Sequence, residues 1–246
     1  MIKKEKIIKS KDLIKESWLV YSKNILKFIE VFFYGLVGVV PVFGLMILVI
    51  LYAEFIGDKA PLAINIISGI IAFIAFIASI YIALVYSIRA KVASILLLKN
   101  NFTSAKENFK EAKSYFVKFL GVSMLLVVLV IAWGFVFIIP ALIFAIYYGF
   151  AQYILVAEDK RPFSAIERSY DLVRGYFWPV FGRFALIALI GMMAYWILSL
   201  PVSNVNEQST VYVLYSIFMN IIWAIISPYF LIYTYKIYQS LKETNK

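Results

Sequence analysis

"LAINIISGIIAFIAFIASIYIALVYSI", residues 62–88, contains no charged residue and no proline. A helix crossing a bilayer needs about 20 mostly apolar residues, and this run exceeds that. In lipid every backbone polar group must bond within the protein, so such a run is a helix and not a lipid-exposed strand. A transmembrane barrel would instead show segments of about ten residues with alternating polarity, which are absent.

Five further runs of this kind lie around it, at about 28–52, 115–138, 140–157, 177–200 and 211–235. The 246 residues are 63% hydrophobic and 15% charged. A soluble domain of this length carries about 25% charged residues, so one globular core cannot hide the apolar excess. The expected fold is all-α and integral to the membrane, with six transmembrane helices in one polytopic domain spanning 1–246. The N-terminal segment is basic and then apolar over a long run without a small-residue cleavage site. It reads as the approach to a first span, not a cleaved leader.

Charge sets the orientation. Of the 24 Lys and Arg residues, all but Lys59 fall in the N-terminal segment, the loops 89–118 and 160–183, or the C-terminus. The intervening turns, "EFIGDKAP" (54–61), "FIIPAL" (137–142) and "LPVSNVNEQST" (200–210), face the other side. Positively charged loops stay in the cytosol, so both termini are expected there. The net charge of +10 then reflects topology and attraction to anionic lipid headgroups. Nucleic acid would call for a compact basic domain with base-stacking aromatics, and none is present. A protein partner on the cytosolic face is compatible with the pattern. Trp18, Tyr52, Tyr115, Trp178, Tyr212 and Tyr235 stand near span ends, as interfacial belts do.

"FTSAKENFKEAKSYFVKFLG" (102–121) and "FSAIERSYDLVRGYFWPVFG" (163–182) align without a gap. Apolar residues recur every three or four positions in both, at Phe102, Ala105, Phe109, Ala112, Phe116 and Phe119, and at Phe163, Ile166, Tyr170, Val173, Phe177 and Val180. That spacing marks one helix face. Ile14, Trp18, Tyr21, Ile25 and Phe28 fall into the same columns, and Ser17 aligns with Ser169. The chain thus reads as three pseudo-repeated units, each an amphipathic cytosolic helix plus a transmembrane hairpin. The amphipathic helices are expected at about 11–27, 103–114 and 164–175. Ser164 with Glu167 has the spacing of a capping box, whereas Thr103 with Lys106 lacks the acidic partner. Gly175 is expected to end or bend the third of these helices.

Chemistry-bearing residues are few. There is no cysteine and no histidine, so thiolate nucleophiles and the commonest metal ligand and neutral-pH base are missing. No Walker A, GxSxG or HExxH motif occurs. No cofactor is expected, and the chain reads as a non-enzyme. Glu30, Lys118 and Arg183 sit at shallow depth in their spans. They would lie near one another in a pseudo-symmetric bundle; otherwise the cations snorkel to headgroups. Gln152 and Asn220 lie deeper, as hydrogen-bonding glue between helices or as the lining of a polar cavity. Pro41 and Pro228 fall inside spans and can kink them. Glu158 and Asp159, flanked by Lys160 and Arg161, read as a solvated turn. With Arg168, Asp171 and Arg174 they form the candidate cytosolic interface, Asp171 being spaced to pair with either arginine.

Residues 138–182 also resemble the membrane domain attached to some bacterial glycerophosphodiester phosphodiesterases, and its stand-alone six-span relatives. The shared pattern is Pro140, then Glu158 and Asp159, Ala165, Arg168 and Ser169, Tyr170, Leu172 and Val173, Arg174 and Gly175, Phe177 and Trp178, and Gly182. In the fused members hydrolysis belongs to a separate soluble barrel, so the resemblance carries no catalytic residue onto this stretch. It implies a prokaryotic inner-membrane protein. The expected role is a scaffold or partner subunit in lipid or envelope homeostasis. The alternative is a small transporter with a polar route near Gln152 and Asn220.

Overall fold

A computed structural model of the protein describes residues 7–136, 138–202 and 205–244. Residues 1–6 of the N-terminal basic run, residue 137 of the stretch 137–142, residues 203–204 of the stretch 200–210, and 245–246 lie outside the described residues. The fold is all-α, and no strand occurs among the described residues. In order the helices are α1 (Ser10–Val37), α2 (Val40–Tyr52), α3 (Leu62–Lys99), α4 (Ala105–Glu111) and α5 (Phe116–Val136). They continue with α6 (Ile138–Tyr148), α7 (Ala151–Ala157), α8 (Pro162–Val173), α9 (Phe177–Ser199) and α10 (Thr210–Thr244). Among the described residues, six helical stretches are long and apolar enough to cross a membrane.

Several boundaries differ from the sequence reading. The first amphipathic helix and the first span are one helix, α1, because no Gly or Pro interrupts residues 10–34. The interruption comes at Gly38 and Val39, just before Pro41 in the first turn of α2, where proline is favourable. A Cβ on Gly38 would fall 2.3 Å from the Tyr86 Cβ, so only glycine lets the end of α1 approach α3 this closely. α3 runs to Lys99 and not to residue 88. Arg89 and Lys91 end the apolar window, but a charge does not end a helix, and Val92 to Leu98 bury most of their side chains.

The helix starts also shift. α4 is capped by Ser104, whose side chain accepts from the Glu107 N–H, one residue later than the Thr103–Lys106 spacing considered. α8 begins at Pro162 after an extended Arg161 (φ −73°, ψ 155°), which places Ser164 inside the first turn instead of at the cap. Proline at the first helical position, with its extended predecessor, is enough to start the helix there. α8 ends where expected, with Gly175 at φ 87°.

Contacts divide the chain into two compact units, Leu26–Leu120, and Met1–Ile25 with Gly121–Lys246. In the first, α4 and the 3-10 turn after it pack on the last turns of α3. Phe109, Ala112 and Tyr115 are buried there with Val92, Ile95 and Leu96. In the second, α8 packs on α6, α7 and α10, burying Ala165, Ile166, Ser169, Leu172 and Val173. That buried side is rotated from the aromatic stripe read in the sequence, and it leaves Phe163 69% exposed. The most apolar window of each spanning stretch has only 0% to 28% of its residues buried. Each unit's packed core therefore sits at the charged ends of its helices, and the mid-span side chains are left for lipid.

Candidate functional site

The site is built where α7 turns into α8. The expected span 140–157 is broken in the middle, at Gly149 and Phe150. A break leaves backbone groups without helical partners. Ser169 of α8 supplies them: its hydroxyl donates to the Tyr147 carbonyl (2.7 Å) and accepts from the Phe150 N–H (3.2 Å). Ser169 is fully buried, so these bonds are made away from solvent. The Tyr147 and Tyr170 rings meet at a tilt beside them, with centroids 4.8 Å apart.

Glu158 closes the C-terminus of α7 and is the hub of the polar cluster that follows. Its carboxylate accepts from the Tyr238 hydroxyl (2.8 Å) and lies 3.2 Å from the Lys242 ammonium and 3.9 Å from that of Lys160. Its side chain is only 13% exposed. That burial works against ionisation, but the bonds from Tyr238 and Lys242 and the Lys242 and Arg168 charges outweigh it. They hold the carboxyl below its ordinary value. Asp159 takes up the left-handed turn conformation (φ 49°). A cleft of about 240 Å³ opens beside the cluster, lined by Ala157, Tyr235, Tyr238, Gln239, Lys242 and Glu243.

Arg183, nine-tenths buried, is held by backbone carbonyls. Its Nε donates to the Ile8 carbonyl (3.1 Å), Nη1 to Pro179 (2.6 Å) and Nη2 to Ile7 (3.3 Å) and Ile8. The guanidinium thus pins the N-terminal strip against α9. The Ile8 N–H donates to Ser240 of α10 (3.0 Å), a second tie on the same strip.

The remaining candidates are dispersed. Glu30 is exposed and accepts from Tyr34, one turn on (2.8 Å). Lys27 donates to the Phe102 carbonyl, and Lys118 lies 5.8 Å from the Tyr115 ring centroid. Gln152 donates to Ser123 of α5 (3.0 Å), a bond between helices. Asn220 is exposed and donates to the Ser216 carbonyl of its own helix (2.8 Å). Arg168 is half-buried beside Glu158, whereas Asp171 and Arg174 are exposed and carry no ion pair among the described residues. A groove of about 610 Å³ lies between α2 and α3, its polar end closed by Tyr52 and Asn65 bonding to each other (2.8 Å). No group of three or more Asp or Glu is placed to hold a metal among the described residues.

Sequence reasoning missed Tyr238, Lys242 and the bridging role of Ser169. Only the last left a signal. Ser17, Asn108 and Ser169 occupy one column of the aligned segments, and all three are buried. Across known protein families, curated proteins and solved structures, nothing matches this chain.

Proposed function

We propose that the protein is a non-enzymatic scaffold or partner subunit of a prokaryotic inner membrane, with both termini cytosolic. Its cytosolic face holds anionic lipid headgroups and offers a docking surface to a protein. The observation that carries this reading is the two ends of α8. Phe163 in its first turn, two residues from the exposed Arg161, is 69% exposed, and Trp178 just past its C-terminal end, four residues from the exposed Arg174, is 74% exposed. Apolar rings next to cations on a short helix are what an interfacial segment needs to sit among anionic headgroups. The Glu158 cluster and the Ser169 bridge fix that helix to the ends of the spans.

The reading includes the threefold repeat. Three aromatic pairs support it at matching columns: Phe109 with Tyr86 (5.9 Å), Tyr170 with Tyr147 (4.8 Å) and Trp18 with Tyr229 (6.3 Å). In each pair an amphipathic helix meets a returning span. Kinship with the membrane domain of glycerophosphodiester phosphodiesterases fits a lipid-facing role without hydrolysis in this segment. A transporter would need a polar route, and Gln152 and Asn220 spend their amides on Ser123 and Ser216 instead.

Native mass spectrometry of the purified chain tests this. Phosphatidylglycerol is expected to be retained over phosphatidylcholine, with retention falling on Arg161→Gln plus Arg174→Gln. Equal retention of the two lipids overturns the headgroup reading, and phosphodiesterase turnover overturns the non-enzymatic one. Reporter fusions at 54–61 that stay cytosolic overturn the orientation.

A further inference from the structure

The turn between α2 and α3 closes one end of the groove of about 610 Å³. The groove stays open because the residues facing each other across it are small. Ala53 and Gly57 line it from one side, and Gly69, Ala72 and Ala75 of α3 from the other. A Cβ on Gly69 would meet no atom within 4 Å. Leu48, Val49 and Ile71 form its walls and are exposed to whatever surrounds the spans.

The length of the groove points to a class of occupant. From Asn65 to Ala75, α3 rises about 15 Å at about 1.5 Å per residue. The hydrocarbon core of a bilayer is about 30 Å thick, so the groove runs the depth of one leaflet. Its volume falls within the roughly 300–1,000 Å³ of sites that bury a small ligand. An acyl chain entering from the turn fits that depth.

The polar end indicates what the head of that occupant carries. The side-chain donors lining the groove belong to Tyr52, Asn65 and Ser68, and all are spent inside the protein. Tyr52 donates to Asn65 Oδ1 (2.8 Å), the Asn65 amide to the carbonyls of Gly57 (2.9 Å) and Ala60 (3.3 Å), and Ser68 to the Asn65 carbonyl (3.0 Å). A π-helical turn, Ala53–Gly57, delivers the Gly57 carbonyl to that amide. Acceptors are left over: the Tyr52 oxygen, the second lone pair of Asn65 Oδ1, and the Asp58 carboxylate. Asp58 is exposed and carries no ion pair among the described residues. An end that offers acceptors and a negative charge suits a cation that donates hydrogen bonds. Lys59, next in the chain and also exposed, offers the opposite charge beside it.

We propose that the α2–α3 groove holds a phospholipid with a primary ammonium headgroup. One acyl chain lies along Gly69, Ala72 and Ala75, the ammonium sits on Asp58 and the phosphate on Lys59. A choline headgroup presents methyl groups in place of N–H donors, and a glycerol headgroup leaves the lipid net negative against Asp58, so both fit worse. The site uses none of the residues of the α8 headgroup surface, and it selects a cationic group where that surface selects an anionic one.

Native mass spectrometry of the delipidated chain in detergent, loaded with each lipid in turn, tests this. Phosphatidylethanolamine is expected to be retained over phosphatidylcholine. Asp58→Asn, isosteric and at an exposed position, is expected to lower that preference about fivefold, the upper end for one exposed ion pair. Gly69→Leu is expected to fill the groove and abolish the preference, with Tm unchanged or higher, since leucine is the better helix former. Arg161→Gln plus Arg174→Gln is expected to leave the preference intact, which separates this site from the α8 surface. Equal retention of the two lipids by the parent overturns the proposal. So does a preference that survives Asp58→Asn or Gly69→Leu, or one that falls with the arginine pair. A dimer lost on Gly69→Leu gives the groove to a second copy of the chain and overturns it as well.

Discussion

Between α3 and α4 the chain turns through Asn100–Ser104 and buries Asn108; between α7 and α8 it turns through Glu158–Arg161 and buries Ser169. The first corner satisfies its buried polar group locally. Asn108 donates to Thr103 Oγ1 (3.0 Å) and the Ser104 carbonyl (2.8 Å), and accepts from Asn100 (2.8 Å). Nothing is asked of α3, which stays continuous. The second corner has a shorter side chain that bonds outside its own turn. Ser169 finds its partners in the preceding helix, and that helix is broken to provide them. A buried polar residue and a broken span are thus two halves of one solution, and the amide of Asn108 makes the second half unnecessary.

The largest test of this contrast sets Phe150, at the break, against Arg89, which meets Phe109 of α4 from the unbroken α3. Phe150 is fully buried and Arg89 is half-buried. Phe150→Ala is expected to cost about 3–5 kcal/mol, as deletion of a buried ring does. Arg89→Ala is expected to cost roughly 1 kcal/mol, from one bond to the Phe109 carbonyl (3.1 Å) and its place over the Phe109 ring (4.3 Å). Denaturant titration in micelles measures both, and equal losses would break the comparison.

Next in size, Ser169→Ala leaves a buried N–H and carbonyl unpaired and should cost about 2 kcal/mol. Asn108→Ala should cost closer to about 1 kcal/mol, because Asn100 keeps Glu111 as a partner (3.3 Å). A larger loss at Asn108 would reverse the assignment of local and remote support.

Glu158 sharpens the contrast through pH. Its carboxyl is held below the ordinary range, so the unfolded chain binds the proton more readily and stability rises with pH there. The contribution is present above the unfolded value, roughly 4.3, and is lost as pH falls through the lower folded value. Thermal melts should show Glu158→Gln less stable than the parent at neutral pH, with the gap closing on the acid side. A gap independent of pH would show that the carboxylate charge is not what ties α7 to α10. The smallest effect is expected at Asp171, exposed and without an ion pair among the described residues. Asp171→Ala should stay within about 0.5 kcal/mol in the same melts.

The six spans were legible because hydropathy over 20 residues is a sum that no single residue can overturn. The helix ends were not, because hydropathy reports where lipid ends and hydrogen bonding decides where the helix ends. Residues 89–99 show the difference: Arg89 and Lys91 closed the apolar window while the backbone continued to Lys99. The break at Gly149 hid inside an apolar run, where one glycine is as compatible with an unbroken helix. In the candidate site, Glu158 was visible as part of an acidic pair but read as a wet turn. Its partners Tyr238 and Lys242 lie some 80 positions away, and no local spacing announces them.

α3 has 38 residues and α10 has 35. At about 1.5 Å per residue they measure roughly 57 and 52 Å, against a hydrocarbon core of about 30 Å. A tilt of 40°, the upper end of what spans adopt, still leaves each on the order of 10 Å too long. Both must stand proud of the oil. On α3, the side chains from Val92 to Leu98 are buried in that overhang, against α4 and the turn after it. In this unit the packed core then lies beyond the hydrocarbon, and a thicker or thinner bilayer changes the length of bare helix beneath it without reaching the contacts.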